Sequence, residues 1–466
     1  MEGSKLVQLL RSLDYRERAR LKKFVVSPFF NENEEVARLL ALLMTVVPAS
    51  REAAWRELFP ERPFADLRMR HLMSDLMRLT ERFLAVCEAE RRPVQMQLHL
   101  LRALGRRPAP RLYEFVWRKA DRKRGKFPLG SEALLEQFQL QAEYDSFLEN
   151  RANRSGITNL QRTIDDLDTF YLFSKLKYTC NVLNNQRVMD VGGDHSLLDG
   201  LLDHLAQSDL SSHPGIAIYY RIYRMLTDPK ESAHYFALKA LLEAHAANFA
   251  PEEARDMYSF ALNFCIGKIN QGDSEYLREI FGLYRAGLAG QVMLEQGRLS
   301  PWDYKNIVVV ALRLGEFSWA EQFIRQYKEH IAAEHRANAF TYNLAKLFFY
   351  RKEYGEVLKL LQKVEYEDVF YNLDSKVMLL KIYYELAETE ALDSLLESFR
   401  TYLRRNRLIS DPHRTNYLNL IRFVRRLSRL RPNDQARLQQ IRADVAQCQQ
   451  LADANWLWEK LADGVG

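Results

Sequence analysis

The chain has 466 residues, 47% apolar and 27% charged, with a formal net charge of +6, a balance that excludes wholesale disorder. Its length exceeds what one compact core holds and suggests about three units, unless the chain is an elongated repeat array in which each repeat buries surface only against its neighbours. No apolar run approaches the ~20 residues needed to span a bilayer, so no membrane partner is expected.

Breakers are sparse. No proline lies between Pro128 and Pro214, or between Pro301 and Pro412, and there are only 19 glycines. Stretches rich in Leu, Ala, Glu, Arg and Gln without breakers read as helix, and no alternating β-branched run suggests a sheet. The expected class is all-α: an N-terminal helical domain followed by an α-solenoid.

Residues 1–92 read as a helical bundle. Helices are predicted over Lys5–Leu13 and Tyr15–Val26, then a break at Ser27-Pro28-Phe29-Phe30-Asn31, because Pro28 disfavours helix at the residue before it. Further helices follow over Glu34–Val46, from Ser50 to Phe59, and from Phe64 to Glu90. The last carries Met69, Leu72, Met73, Leu76, Leu79 and Phe83 at the spacing of one buried face. Helix, short turn and long helix over 50–90 suggest a helix-turn-helix with Arg68, Arg70 and Arg78 projecting. Asp66, Asp75 and Glu81 on the same helix favour a structural cap instead.

Residues 93–130 are expected as a basic linker, since Pro93, Gly105, Pro108, Pro110, Gly125 and Pro128 punctuate it, with a short helix over Arg111–Asp121. From 131 to 430 helix follows helix, and 431–466 is expected to cap the array. Asp228-Pro229-Lys230-Glu231 reads as a helix start, as do Ser300-Pro301, Pro251, and Pro412 with Asp411 as cap.

The chain aligns with itself in one register. Gly315-Glu316-Phe317 matches Lys352-Glu353-Tyr354 and then Ala387-Glu388-Thr389, with an upstream copy centred on Gly272. Ala320, Val357 and Leu392 recur five positions later, and Ile307, Leu344 and Leu379 eight positions earlier. Tyr342-Asn343-Leu344-Ala345, Tyr354 and Val357, together with Gly315-Glu316-Phe317-Ser318-Trp319-Ala320, closely resemble the tetratricopeptide (TPR) consensus, most clearly over 255–400. Asn263-Phe264-Cys265-Ile266-Gly267-Lys268 and Tyr402-Leu403-Arg404-Arg405-Asn406 also resemble a group of uncharacterised bacterial proteins of this size, a likeness that brings no function. Large residues such as Tyr354, Phe317 and Phe323 are expected to fill the gaps between hairpins.

The TPR resemblance implies a groove lined by the first helix of each pair. Asn263, Asn306 and Asn343 share one motif position, and such a ladder can hold an extended peptide backbone, with Lys305, Arg313 and Lys346 as nearby cations and Tyr342 beside them. Met378 ends the ladder. Charge is uneven along the chain. Residues 101–126 carry +8, including Arg118, Arg122 and Lys123, and residues 400–431 carry +9, including Arg404, Arg405, Arg414, Arg422, Arg425 and Arg429. A helix from Pro412 would bring Arg414, Arg422, Arg425 and Arg429 close to one face, able to bind phosphates or an acidic partner. Tyr219, Tyr220 and Tyr223 read as core packing.

Nothing points to catalysis. There is no GxGxxG, Walker A loop or HExxH, and Gly192-Gly193-Asp194-His195 is an ordinary turn composition. Cys87, Cys180, Cys265 and Cys448 lie too far apart for a metal knuckle or a CxxC pair. These thiols read as buried in a reducing compartment, and Met1-Glu2-Gly3-Ser4-Lys5 lacks an apolar signal core, so a cytoplasmic protein is expected. The function expected is a non-enzymatic scaffold or adaptor that binds a protein or peptide partner, without cofactor, metal or small-molecule substrate. The alternative is a nucleic-acid-binding or regulatory protein that uses the N-terminal domain and the basic stretches.

Overall fold

A computed structural model of the chain describes residues 3–123, 129–150, 160–186, 198–362, 369–431 and 434–463. It is all-α: among the described residues there are 23 α-helices and no strand beyond an isolated bridge between Glu295 and Arg298. The chain divides into two compact units, Met1–Ser174 and Lys175–Gly466.

The first unit begins with α1 (Lys5–Ser12), α2 (Tyr15–Val26), α3 (Glu34–Thr45), α4 (Arg51–Leu58) and α5 (Asp66–Arg91). Asp14 starts α2 with a capping box: its carboxylate accepts from Glu17 N while Glu17 accepts from Asp14 N. The stripe expected on α5 is buried at Met69, Leu72, Leu76 and Phe83, against Leu21, Leu39 and Trp55. The expected linker carries α7 (Pro110–Asp121), matching the short helix expected over Arg111–Asp121, and also the unexpected α6 (Pro93–Gly105), and both pack with α8 (Ser131–Glu149). Pro93 and Pro110 each stand in the first turn of a helix, where the missing N–H costs nothing, so they open elements rather than break them. Leu98, Leu101 and Tyr113 form this core, and Tyr113 stacks on Phe147 with ring centroids 3.6 Å apart. The division between units falls inside α9 (Leu160–Gln186).

The second unit continues with α10 (Leu198–Gln207), α11 (Pro214–Thr227), α12 (Ala233–His245), α13 (Pro251–Asn270) and α14 (Tyr276–Ala289). Then come α15 (Pro301–Arg313), α16 (Phe317–Tyr327), α17 (Ala333–Tyr350), α18 (Tyr354–Leu361), α19 (Val369–Glu385) and α20 (Thr389–Arg405). The unit closes with α21 (Asp411–Ser428), α22 (Gln435–Ala446) and α23 (Ala454–Asp463). From α11 to α22 consecutive helices pack as neighbours, and α15, α17 and α19 also meet one another in turn.

The aligned turns share one backbone geometry. Gly272, Gly315, Lys352 and Ala387 all adopt left-handed φ, at 96°, 77°, 60° and 54°. At each, the next residue's N–H reaches back five positions: Asp273 to Lys268 O, Glu316 to Ala311 O, Glu353 to Phe348 O and Glu388 to Tyr383 O, at 2.9–3.1 Å. This is the Schellman closure of a helix C-terminus, and its recurrence marks the repeat as one structural unit. Ala320, Val357 and Leu392 are buried, as their shared position requires.

Three local expectations are corrected. Asp228-Pro229-Lys230-Glu231 is a turn, closed by Glu231 N donating to Asp228 O at 3.2 Å with Pro229 at its second position, and α12 begins only at Ala233. Asp411 does not cap α21 but is its first residue, paired with Arg414. Tyr354 is only partly buried, so it fills less of the inter-hairpin gap than its register suggests.

Candidate functional site

On α15, Ser300 caps the helix by accepting from Trp302 N at 3.2 Å, which sets Trp302 and Lys305 one turn apart. Lys305 is largely buried. It pairs with Asp374 of α19, and its Nζ stands 5.4–5.7 Å from the ring centres of Trp302, Tyr342 and Tyr371. Tyr342 of α17 is fully buried, and its hydroxyl donates to Asp374 Oδ2 at 3.1 Å. Burial and the Asp374 charge both hold the Tyr342 phenol well above its ordinary range.

One turn after Tyr342 stands Lys346. It keeps some accessible surface but is densely enclosed by protein atoms. Burial lowers its pKa; Asp374 and Asp453 oppose the shift, while Lys381 and Lys305 add to it. Among the described residues no carboxylate comes within ion-pair distance of Lys346, and its Nζ lies 6.0 Å from the ring centre of Phe349. Lys381 occupies the same repeat position on α19, 35 residues on, and does have a partner, Asp453 at 2.9 Å.

Asp453 belongs to the segment before α23. This segment is held by Ala452 N donating to Asn416 O at 3.2 Å and by Asn419 Nδ2 donating to Gln450 O at 2.8 Å. Trp456 donates to Glu385 Oε1 at 3.3 Å, with the ammonium of Lys381 5.4 Å from its ring. The chain thus lays one of its own carboxylates, Asp453, against the α19 end of this face.

The asparagine ladder is not formed. Asn263 and Asn306 are exposed, but Asn343 is fully buried and its Nδ2 donates to Ala339 O of its own helix at 2.8 Å. A shared motif position does not give a shared exposure here. Arg313 is exposed at the end of α15. The residues the structure does bring together are Lys305, Tyr342 and Lys346, joined by Asp374, Lys381 and Asp453. The equivalence of Lys346 and Lys381 was the sequence signal for the last group.

The basic residues divide. Arg118 is exposed and paired with Glu114 at 3.4 Å, and Arg122 and Lys123 close α7, with Arg124 outside the described residues. Arg414 is no docking residue: its guanidinium donates to the carbonyls of Leu403, Ile409 and Asn406 and fixes the α20–α21 turn. Arg405 is exposed, whereas Arg404, Arg422, Arg425 and Arg429 line one cleft. In the first unit the arginines of the supposed recognition helix are engaged: Arg68 with Glu35, Arg70 with Asp66, Arg78 with Asp75. Tyr219 and Tyr220 are buried, and the Tyr219 hydroxyl bonds Glu253, which pairs with Lys177 at 2.7 Å. His195 lies outside the described residues. Among those described, no cluster of His, Cys, Asp or Glu could hold a metal ion, and no helix is long and apolar enough to cross a membrane.

Fold and site together define the class: an all-α protein built of stacked, repeat-like helical hairpins with a lysine-rich face on α15, α17 and α19. No family model matches the chain, and no curated protein or solved structure matches it significantly.

Proposed function

We propose that the chain is a non-enzymatic cytoplasmic scaffold of TPR-like hairpins, which holds an acidic peptide segment of a protein partner on the face of α15, α17 and α19. The observation that supports this reading is Lys346. An enclosed ammonium with no carboxylate at ion-pair distance is unfavourable alone, and a ligand carboxylate would relieve it. Lys305 and Lys381 flank it, each already held by its own carboxylate, so the ligand's charge is directed to Lys346. Asp453 supports the same reading, since it is a carboxylate on an otherwise uncharged segment accepted by a lysine at the equivalent position. Trp302 and Tyr371, stacked at 6.1 Å, offer apolar area beside the charge.

Fluorescein-labelled acidic decapeptides titrated against the full chain test this. Binding should weaken at least tenfold in Lys346→Met, with the melting temperature unchanged or raised. Peptides that bind neither protein, or both equally, would remove this face as the site.

A further inference from the structure

A second feature lies apart from the lysine face. Helices α20, α21 and α22 pack side by side and enclose a cleft of about 740 Å³. Seven arginines line it: Arg400 and Arg404 from α20, Arg422, Arg425, Arg426 and Arg429 from α21, and Arg437 from α22. Their placement follows from helix periodicity, since 400/404 and 422/425/426/429 are the three- and four-residue spacings that share a face. Ile421 and Ile441 contribute an apolar floor.

Four of the guanidiniums are tethered. Arg425 pairs with Glu397 at 2.7 Å, Arg426 with Asp444 at 2.6 Å, Arg429 with Asp393 at 3.3 Å and Arg437 with Asp434 at 3.8 Å. Arg400, Arg404 and Arg422 have no carboxylate within ion-pair distance among the described residues, which leaves the cleft three positive charges in excess. Arg425 Nε is buried there without an acceptor. Tethered forks beside untethered ones form a preorganised anion site, because the planar guanidinium presents paired donors that match phosphate oxygens.

We propose that this cleft binds a run of closely linked phosphates, either as free inorganic polyphosphate or as the polyphosphate group of a larger metabolite. The volume falls in the range of small-ligand sites, about 300–1,000 Å³. No aromatic side chain lines the cleft, so it lacks the stacking platforms on which single-stranded nucleic acids lay their bases. An acidic peptide would bring its charges on separate flexible side chains, each of which must be ordered, whereas a phosphate chain delivers several adjacent charges on one short backbone.

The full chain should be titrated with sodium tripolyphosphate by calorimetry at two salt concentrations, with orthophosphate, hexaglutamate and an oligothymidylate of matched charge in parallel. Tripolyphosphate should bind most tightly and weaken as salt rises. Arg404 and Arg422 are exposed and hold no carboxylate, Arg422 lying over the Phe423 ring, so Arg404→Gln/Arg422→Gln should keep the wild-type melting temperature and lose at least tenfold in affinity, while Arg422→Lys alone should lose less. Lys346→Met should leave this binding unchanged, which separates the two sites. Tripolyphosphate binding that is absent, or undiminished in the folded double variant, overturns the proposal, as does tighter binding of hexaglutamate or of the oligothymidylate.

Discussion

Lys346 shows how a single side chain is set by what surrounds it. Tyr342 one turn before it binds Asp374, which Lys305 also holds, and Lys346 is left enclosed without an ion-paired carboxylate. Its pKa is lowered in the folded chain, whereas in the unfolded chain it titrates near ~10.4. Between those two values the unfolded state binds the extra proton, so stability should rise with pH through that window. Lys346→Met, a swap of similar volume, should therefore stabilise by on the order of 1 kcal/mol at neutral pH. That advantage should shrink as pH approaches ~10. Urea melts of both proteins at pH 7 and 9.5 check it, and a constant difference between them would show that Lys346 is not the titrating group. Asn343 carries the opposite lesson: a residue type suited to binding is spent on Ala339 O inside its own helix.

At the scale of the element, the hairpin turn is the unit that repeats. Gly272 and Gly315 suit the left-handed position, while Lys352 and Ala387 hold it with a side chain and so carry strain. Ala387→Gly should stabilise the fold by about 0.5–1 kcal/mol, less than the relieved strain because glycine also loosens the unfolded chain. Thermal melts check this, and a loss of stability would mean that the α19–α20 turn is closed in another way. These turns were readable before any coordinates, because the spacing from Gly315 to Lys352 to Ala387 needs only self-alignment. The α2, α4 and α5 boundaries were also readable to within two residues, because Asp14, Ser27-Pro28 and Pro60 act locally. The helix α7 was readable to within one residue, but α6 was not, since a proline that opens a helix and a proline that breaks one look alike in a linear string. The site was only partly readable. Periodicity put Arg422, Arg425 and Arg429 on one face, but Arg400 and Arg437 join them only through packing of three helices. Asp374 and Asp453 likewise reach the lysines across long stretches of chain.

For the whole molecule, charge follows the same division of labour. Arg68, Arg70 and Arg78 of the first unit's long helix are spent on carboxylates of their own unit, while Arg82 lies over the Phe30 ring. In the second unit, Lys346 on the hairpin face and Arg400, Arg404 and Arg422 in the cleft are cations without a carboxylate partner among the described residues. The most direct test of the scaffold reading is the titration of Lys346 itself, followed by NMR of the reductively ¹³C-methylated protein with Lys346→Met to assign the resonance. Free protein should show this lysine titrating below the surface lysines, and a saturating acidic decapeptide should move its pKa upward as the ligand carboxylate takes the vacant place. A resonance that titrates with the surface lysines, or one the peptide leaves unmoved, would contradict the account.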